Sequence, residues 1–229
     1  MALHQELFEK VRSYRTPEVA VQLLNSNPPM IIAGATATGK SSVLKRIEEI
    51  SEYRHVITHT TRPPRPGEVD GQNYWFVDEE GMIRLLDDQA MIEVKAVHGD
   101  TLYGPAVTSY QAVISSGHKP ILVIDVQGVE ELSKSIPKQK AFFILPPNFD
   151  EWMQRLEKRG QMSSVEKASR LNSARLELEE ALRQPRFILV TNYDIHRAAH
   201  EILGGTTDPR IQAQNRELAQ TLISHIQSY

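Results

Sequence analysis

The 229-residue sequence contains no cysteine, which excludes a disulfide framework and any thiolate metal site. Nowhere does it approach the roughly 18 consecutive apolar residues that a membrane-spanning helix needs. The first residues, Met1-Ala-Leu-His-Gln-Glu6, have neither the basic nor the apolar region of a secretory signal. A cytoplasmic protein is expected, with no membrane partner. Basic charge is not in excess: 26 Lys and Arg stand against 29 Asp and Glu, a net charge of −3. No global field draws the chain to nucleic acid, so any anion site must be built locally. Internal repeats and low-complexity tracts are absent. The eight histidines show no metal-ligand spacing. His196 and His200 lie four apart on an expected helix and read as a solvated face.

What is present is an ordinary globular composition, 40% hydrophobic and 24% charged. The length supports one sizeable core with small inserted lobes. Leu3, Leu7, Phe8 and Val11 recur at helical spacing. Thr16-Pro17-Glu18 reads as an N-cap, a first-turn proline and a first-turn acid of a second helix. Met30–Ala33 is a short apolar strand that enters a glycine-bounded loop, followed by a helix from Ser41 to Ile50. From residue 53 to 105 the character changes. His55–Thr58 and Asn73–Val77 are strand-like, with Trp75 expected in the core, and 62–73 is rich in Pro and Gly. Met91–Val97 alternates like a half-buried strand, which would place Met91, Glu93 and Lys95 on one face and Ile92 and Val94 on the other.

Pro120–Val126, Lys140–Leu145 and Phe187–Thr191 are nearly continuous apolar runs, the pattern of buried parallel strands. Residues 149–184 between the last two are helical and charged. Strands alternating with helices predict an α/β fold with a parallel sheet covered on both faces. The tail from Asp208 to Tyr229 is expected to hold a helix with Leu218, Leu222, Ile223 and Ile226 on one side. A packed terminal helix is the simpler reading, and a homodimer contact through the terminal extensions is the alternative.

Two segments carry chemistry. Gly34-Ala35-Thr36-Ala37-Thr38-Gly39-Lys40-Ser41, followed by Ser42, matches G-x-x-x-x-G-K-[ST] at every fixed position, between an apolar strand and a helix. Glycines let backbone N–H groups curl around an anion, and the following helix aims its positive end there. Lys40 would reach the β- and γ-phosphates of ATP, and Ser41 would hold Mg²⁺. The second segment is Thr58-His-Thr-Thr-Arg62-Pro-Pro-Arg65-Pro-Gly-Glu-Val-Asp-Gly-Gln-Asn-Tyr74. Its two arginines sit in a chain stiffened by three prolines, and arginine forks match phosphate oxygens. By spacing alone, a solvated basic turn serves equally well.

Together with Leu102-Tyr-Gly104, Ile124-Asp-Val-Gln-Gly-Val129 and Arg155-Leu-Glu-Lys-Arg-Gly160, these segments resemble the guanylate kinase family in order and approximate spacing, over about residues 30–203. The resemblance implies a three-part enzyme that phosphorylates GMP with ATP and Mg²⁺. It implies a P-loop core (29–52, 106–150 and 176–204), a β-rich GMP-binding lobe (53–105) and a helical lid (151–175), with an N-terminal helical extension (1–28) and a C-terminal helical tail (205–229). It places Thr58, Arg62, Arg65, Tyr74, Glu93, Tyr103 and Asp125 at the acceptor, with Glu93 reading guanine. A carboxylate accepts from both N1–H and N2–H of that base, and adenine offers no such pair of donors. Asn192 falls on the adenine side of the donor site. Arg159 and Arg170 become lid arginines, catalytic with Lys40 and Arg65. Taken alone, the charges around them read as a solvated helix face.

The sequence departs from the family pattern where it bears on the base. Val123 stands where the family has the first of two acids, leaving Asp125. Pro105 replaces the Ser or Thr after Tyr-Gly, and Thr58 replaces an early serine. One extra residue lies between Glu93 and Tyr103. Loss of a hydroxyl partner to a buried base costs discrimination of about 1–3 kcal/mol. Two other readings follow: a related kinase for another nucleotide or phosphorylated small molecule, and a non-catalytic module that binds a phosphorylated protein. The complete P-loop argues against the second.

Overall fold

The computed structural model describes residues 2–97, 100–158, 162–205 and 208–229. In chain order the elements are α1 (Ala2–Ser13), α2 (Glu18–Ser26), β1 (Met30–Ala33), α3 (Lys40–Ile50), β2 (Tyr53–His55), β3 (Thr58–Thr60), β4 (Trp75–Phe76), α4 (Glu79–Asp87), β5 (Lys95–Val97), β6 (Thr101–Pro105), α5 (Val107–Ser115), β7 (Lys119–Val123), α6 (Val126–Ser135), β8 (Ala141–Leu145), α7 (Phe149–Glu157), α8 (Ser164–Arg183), β9 (Phe187–Thr191), α9 (Ile195–Leu203) and α10 (Pro209–Ser228). They form two compact units, Met1–Met30 with Tyr53–Gln139, and Ile31–Glu52 with Lys140–Tyr229. These units divide the chain by packing, whereas the lobes expected from the sequence divide it by role. The fold is α/β, with parallel strand pairing in both units.

In the first unit β2 and β7 pair in parallel. A separate four-stranded sheet has the order β4-β3-β6-β5, with β3 and β5 both antiparallel to β6. Leu7 of α1 packs with Met82, Ile83 and Leu86 of α4 and with Met91, Val94 and Leu102. The Tyr14 hydroxyl accepts from the Met91 N–H at 3.1 Å and donates to the Met91 carbonyl at 2.8 Å. Tyr14, just after the N-terminal helix, therefore braces the backbone two residues before Glu93. Side chains cap the helices where the sequence permits: Asp78 accepts from the Gly81 N–H, and Asp125 from the Gly128 N–H.

In the second unit β1, β8 and β9 form a parallel sheet, in register Ile32 to Phe142 and Phe143 to Leu189. Every residue of β8 and β9 is buried, which explains their unbroken apolar runs. Gln212 and Asn215 of α10 hydrogen-bond the Leu189 backbone, and Asn215 Oδ1 accepts from the Thr191 hydroxyl at 2.7 Å. The C-terminal helix thus packs on its own unit, with Leu222 fully buried. Among the described residues, no helix is long and apolar enough to cross a membrane.

Several local expectations are corrected. The run 55–58 breaks at Val56, whose N–H bonds the Ile121 carbonyl, so His55 ends β2 and Thr58 opens β3 in the other sheet. Residues 91–94 do not alternate: Met91, Ile92, Glu93 and Val94 are all buried, and the strand starts only at Lys95. Strand β7 stops at Val123 because Asp125 caps α6. Pro17, not Thr16, is the N-cap of α2, without a side-chain cap bond. Trp75 is 39% exposed, lying against Gly71 and stacked on His59, rather than in the core.

Candidate active site

The phosphate-loop segment lies in the second unit. Strand β1 ends at Ala33 and α3 begins at Lys40, so residues 34–39 form a tight loop. Three of them have positive φ: Gly34 at +141°, Ala37 at +63° and Gly39 at +98°. Gly34 permits no side chain, because a Cβ there would stand 2.6 Å from the Ile144 carbonyl oxygen. The loop carbonyls are taken by side chains. Trp152 Nε1–H donates to Thr36 O at 2.8 Å, Asn192 Nδ2–H to Thr38 O at 2.9 Å, and the Thr38 hydroxyl to Ala35 O at 3.0 Å. Lys40 Nζ donates to Gly34 O and, at 2.8 Å, to Ala35 O. With its carbonyls so engaged and no side chain capping α3, the loop offers an anion its amides and the helix N-terminus. Ser41 and Ser42 are exposed in the first turn of α3. The Ser41 hydroxyl can therefore reach a cation that a bound triphosphate carries. The residues fit ATP and Mg²⁺ on this ground.

Asn192 is buried, and the structure uses it to fasten the loop. Arg155 was not singled out by sequence. Its Nη1 lies 3.4 Å from Thr38 O, where an α7 side chain meets the phosphate loop. It opens the Arg155–Gly160 run that carries the resemblance, without a role assigned to it there. Arg170 sits on α8, ion-paired to Glu166 at 2.8 Å. Arg159 lies outside the described residues.

The arginine-containing segment is in the first unit. Arg62 Nη1 and Nη2 donate to the two Glu68 oxygens, both at 2.9 Å, and Nε donates to the Tyr103 hydroxyl at 3.1 Å. The guanidinium stands 5.3 Å over the Tyr74 ring, and the Tyr74 and Tyr103 rings are 5.8 Å apart. Arg62, Tyr74 and Tyr103, which the family resemblance grouped, lie together. Arg65 is exposed, with its backbone N–H on Glu68 Oε2 at 2.7 Å. Burial pushes the Tyr74 phenol above its ordinary range, so the group remains a neutral hydroxyl donor. Glu68, which orients Arg62, was missed by sequence. An Arg-x₅-Glu spacing in an irregular loop carries no pattern.

Glu93 is 4% exposed, and its Oε2 finds no hydrogen-bond partner among the described residues. Burial, then the nearby Asp125 charge, push its carboxyl up to about 8, with Lys95 opposing and Glu131 adding. Two glycines make room for it. A Cβ on Gly104 would stand 2.1 Å from the Glu93 carbonyl, and one on Gly128 would stand 3.3 Å from both Glu93 Oε1 and Asp125 Oδ1. Thr58 is buried on β3, opposite Pro105 in the β3–β6 register. Asp125 spends one oxygen capping α6. A buried Glu93 and a half-buried Asp125 therefore form an acidic pair in the same unit as the arginine fork. A nucleotide offers a phosphate to the fork and a base with hydrogen-bonding edges to the acids.

Comparison with known proteins bears on this arrangement. The guanylate kinase family model matches residues 26–203. The chain is 36% identical to the guanylate kinase of Neisseria gonorrhoeae over 174 residues, which covers 76% of this chain and 83% of that protein. It is 35% identical to the guanylate kinase of Leifsonia xyli over 175 residues, covering 76% and 68%. The crystal structure of the guanylate kinase from Anaplasma phagocytophilum superposes with a TM-score of 0.59 at 25% identity, covering 86% of this chain and 89% of that one. The phosphate loop, the arginine fork and the buried carboxyl thus stand within a chain that belongs to the guanylate kinase family and is a kinase.

Proposed function

We propose that the chain transfers the γ-phosphoryl group of ATP to GMP, giving ADP and GDP. The observation that carries this reading is the buried Glu93 carboxyl, with an unpartnered oxygen, in the same unit as the Arg62–Tyr103–Tyr74 fork. A phosphate grip alone would serve many acceptors, and a buried carboxyl in the same unit adds a reader for the base.

In this reading Gly34–Gly39 and the first turn of α3 cradle the donor phosphates, and Lys40 turns from the loop carbonyls to the β- and γ-phosphates. Ser41 holds Mg²⁺, which when bound neutralises charge on the donor phosphates. Arg62, Arg65, Tyr74 and Tyr103 hold the acceptor phosphate, while Thr58, Glu93 and Asp125 face the base. The acceptor phosphate oxygen is already an anionic nucleophile, so little general-base work remains. Positioning, and stabilisation of charge on the moving group, make up the chemistry. Arg155, Arg159 and Arg170 supply positive charge for that purpose, and a helical lid over residues 151–175 excludes water that would otherwise hydrolyse ATP.

The test is ADP release from ATP-Mg²⁺ in the presence of GMP, dGMP, AMP, UMP, CMP or dTMP, with Lys40→Ala as control. Turnover with GMP that the control lacks supports the reading. ATP binding without turnover on GMP overturns it.

A further inference from the structure

A proton on Glu93 changes what that side chain can recognise. The ionised carboxylate offers two acceptors and suits two donors, such as N1–H and N2–H of guanine. The neutral acid offers one acceptor and one donor. It suits N1–H and O6, an edge that hypoxanthine shares with guanine. The 2-amino group then no longer decides.

The surroundings favour the neutral form. Glu93 is buried, and its Oε2 has no partner among the described residues. The charged groups acting on it are Asp125 at the N-cap of α6, Glu131 from α6 and Lys95 from β5. The one cation is itself 3.5 Å from Glu131. Together they hold the carboxyl at about 8, above neutral pH. Pro105, on the adjacent strand, has no hydroxyl and no N–H, and its carbonyl accepts from the Ile92 N–H at 2.8 Å. It provides no donor for a purine O6, and a neutral Glu93 does.

We propose that Glu93 reads the acceptor base in two protonation states, taking hypoxanthine and guanine alike as the neutral acid and guanine selectively as the carboxylate, so that base selectivity tightens as pH rises. The acceptor class at neutral pH is then the 6-oxopurine nucleoside monophosphates rather than GMP alone. This inference rests on the reading of Glu93 as the base reader given under Proposed function.

The experiment measures kcat/KM for IMP and for GMP, at saturating ATP-Mg²⁺, between about pH 6.5 and about pH 8.5. Titrations shared by the two substrates cancel in the IMP/GMP ratio. That ratio is expected to fall about fourfold by about pH 8.5, where roughly a quarter of a carboxyl held at about 8 is still neutral, because the carboxylate leaves a buried acceptor unpaired against hypoxanthine. Glu93→Gln presents one acceptor and one donor at every pH, so its ratio stays at the low-pH value throughout. Asp125→Asn keeps an acceptor for the α6 cap but removes a neighbouring negative charge, so the fall moves to lower pH. A wild-type ratio that does not change with pH overturns the inference and leaves GMP phosphorylation standing. So does a Glu93→Gln ratio as low as that of wild type at high pH. Should Glu93→Gln fail to fold, the Asp125→Asn profile decides, and an unmoved transition overturns the inference. No turnover of GMP at any pH overturns the parent reading and this inference with it.

Discussion

Arg62 is held by Glu68 through a two-pronged ion pair, each guanidinium Nη 2.9 Å from its own carboxylate oxygen. A third bond, from Nε to the Tyr103 hydroxyl, fixes the plane of the fork. Burial alone would raise the Glu68 carboxyl. The bonds from Arg62 and the Arg65 N–H outweigh it and leave the group below its ordinary range, ionised at neutral pH. A fork oriented before the phosphate arrives loses less entropy on binding it. Glu68→Gln should therefore raise KM for GMP about tenfold with a smaller effect on KM for ATP. Steady-state kinetics in each substrate check this, and an unchanged KM for GMP contradicts it.

Asn192 fastens the phosphate loop. Its bond to the Thr38 carbonyl joins the residue after β9 to the phosphate loop, and a Cβ on Gly39 would come within 2.2 Å of its Nδ2. Asn192→Ala leaves a loop carbonyl without that partner, at a cost of about 1–3 kcal/mol. Weaker ATP binding with unaltered GMP binding is expected, measured by titration calorimetry for each ligand. Equal losses for both would contradict the assignment.

Tyr14 tests whether the N-terminal helix supports base reading. Its hydroxyl makes both bonds to the Met91 backbone, and residues 91–94 carry Glu93 in their middle. Tyr14→Phe should lower Tm by a few degrees. It should also raise KM for GMP several-fold, with KM for ATP unchanged. If only Tm moves, the helix braces the fold and not the reader.

The Glu93 carboxyl also links stability to pH. Its folded-state value is raised to about 8 from the ordinary carboxylate range of the unfolded chain. Between those values the folded state holds the proton more tightly. Its stabilising effect is complete below the unfolded value and is lost as pH rises toward about 8. Glu93→Gln removes this dependence. At about pH 8.5 the variant should melt a few degrees above wild type, and near pH 5 the two should converge. Parallel melting curves at both pH values contradict the buried, proton-holding Glu93.

Much of this was legible in the sequence, for physical reasons that vary along the chain. The phosphate loop is contiguous, and each fixed residue answers a local need, such as the φ of +141° at Gly34. The unbroken apolar runs of β8 and β9 reported burial on both faces. The same reasoning failed where tertiary contacts override periodicity. Residues 91–94 look like a one-sided strand, yet both sides are covered, with Met91 and Val94 against α1 and α4 and Glu93 turned to its acidic neighbours. Trp75 looked like core, but it only stacks on His59 and lies against Gly71, which leaves it half open. The roles of Glu68 and Arg155 were not legible because their partners, Arg62 and Thr38, are met only through folding of a loop and docking of a helix.

The most direct test of the central claim follows the phosphoryl group itself. The protein is mixed with γ-labelled ATP, Mg²⁺ and GMP in a single turnover, and the products are separated. The account predicts label in the β-phosphate of GDP, formed with ADP in equal amount, and no transfer by Lys40→Ala. Label released as inorganic phosphate, or GDP formed by Lys40→Ala at the wild-type rate, would contradict it.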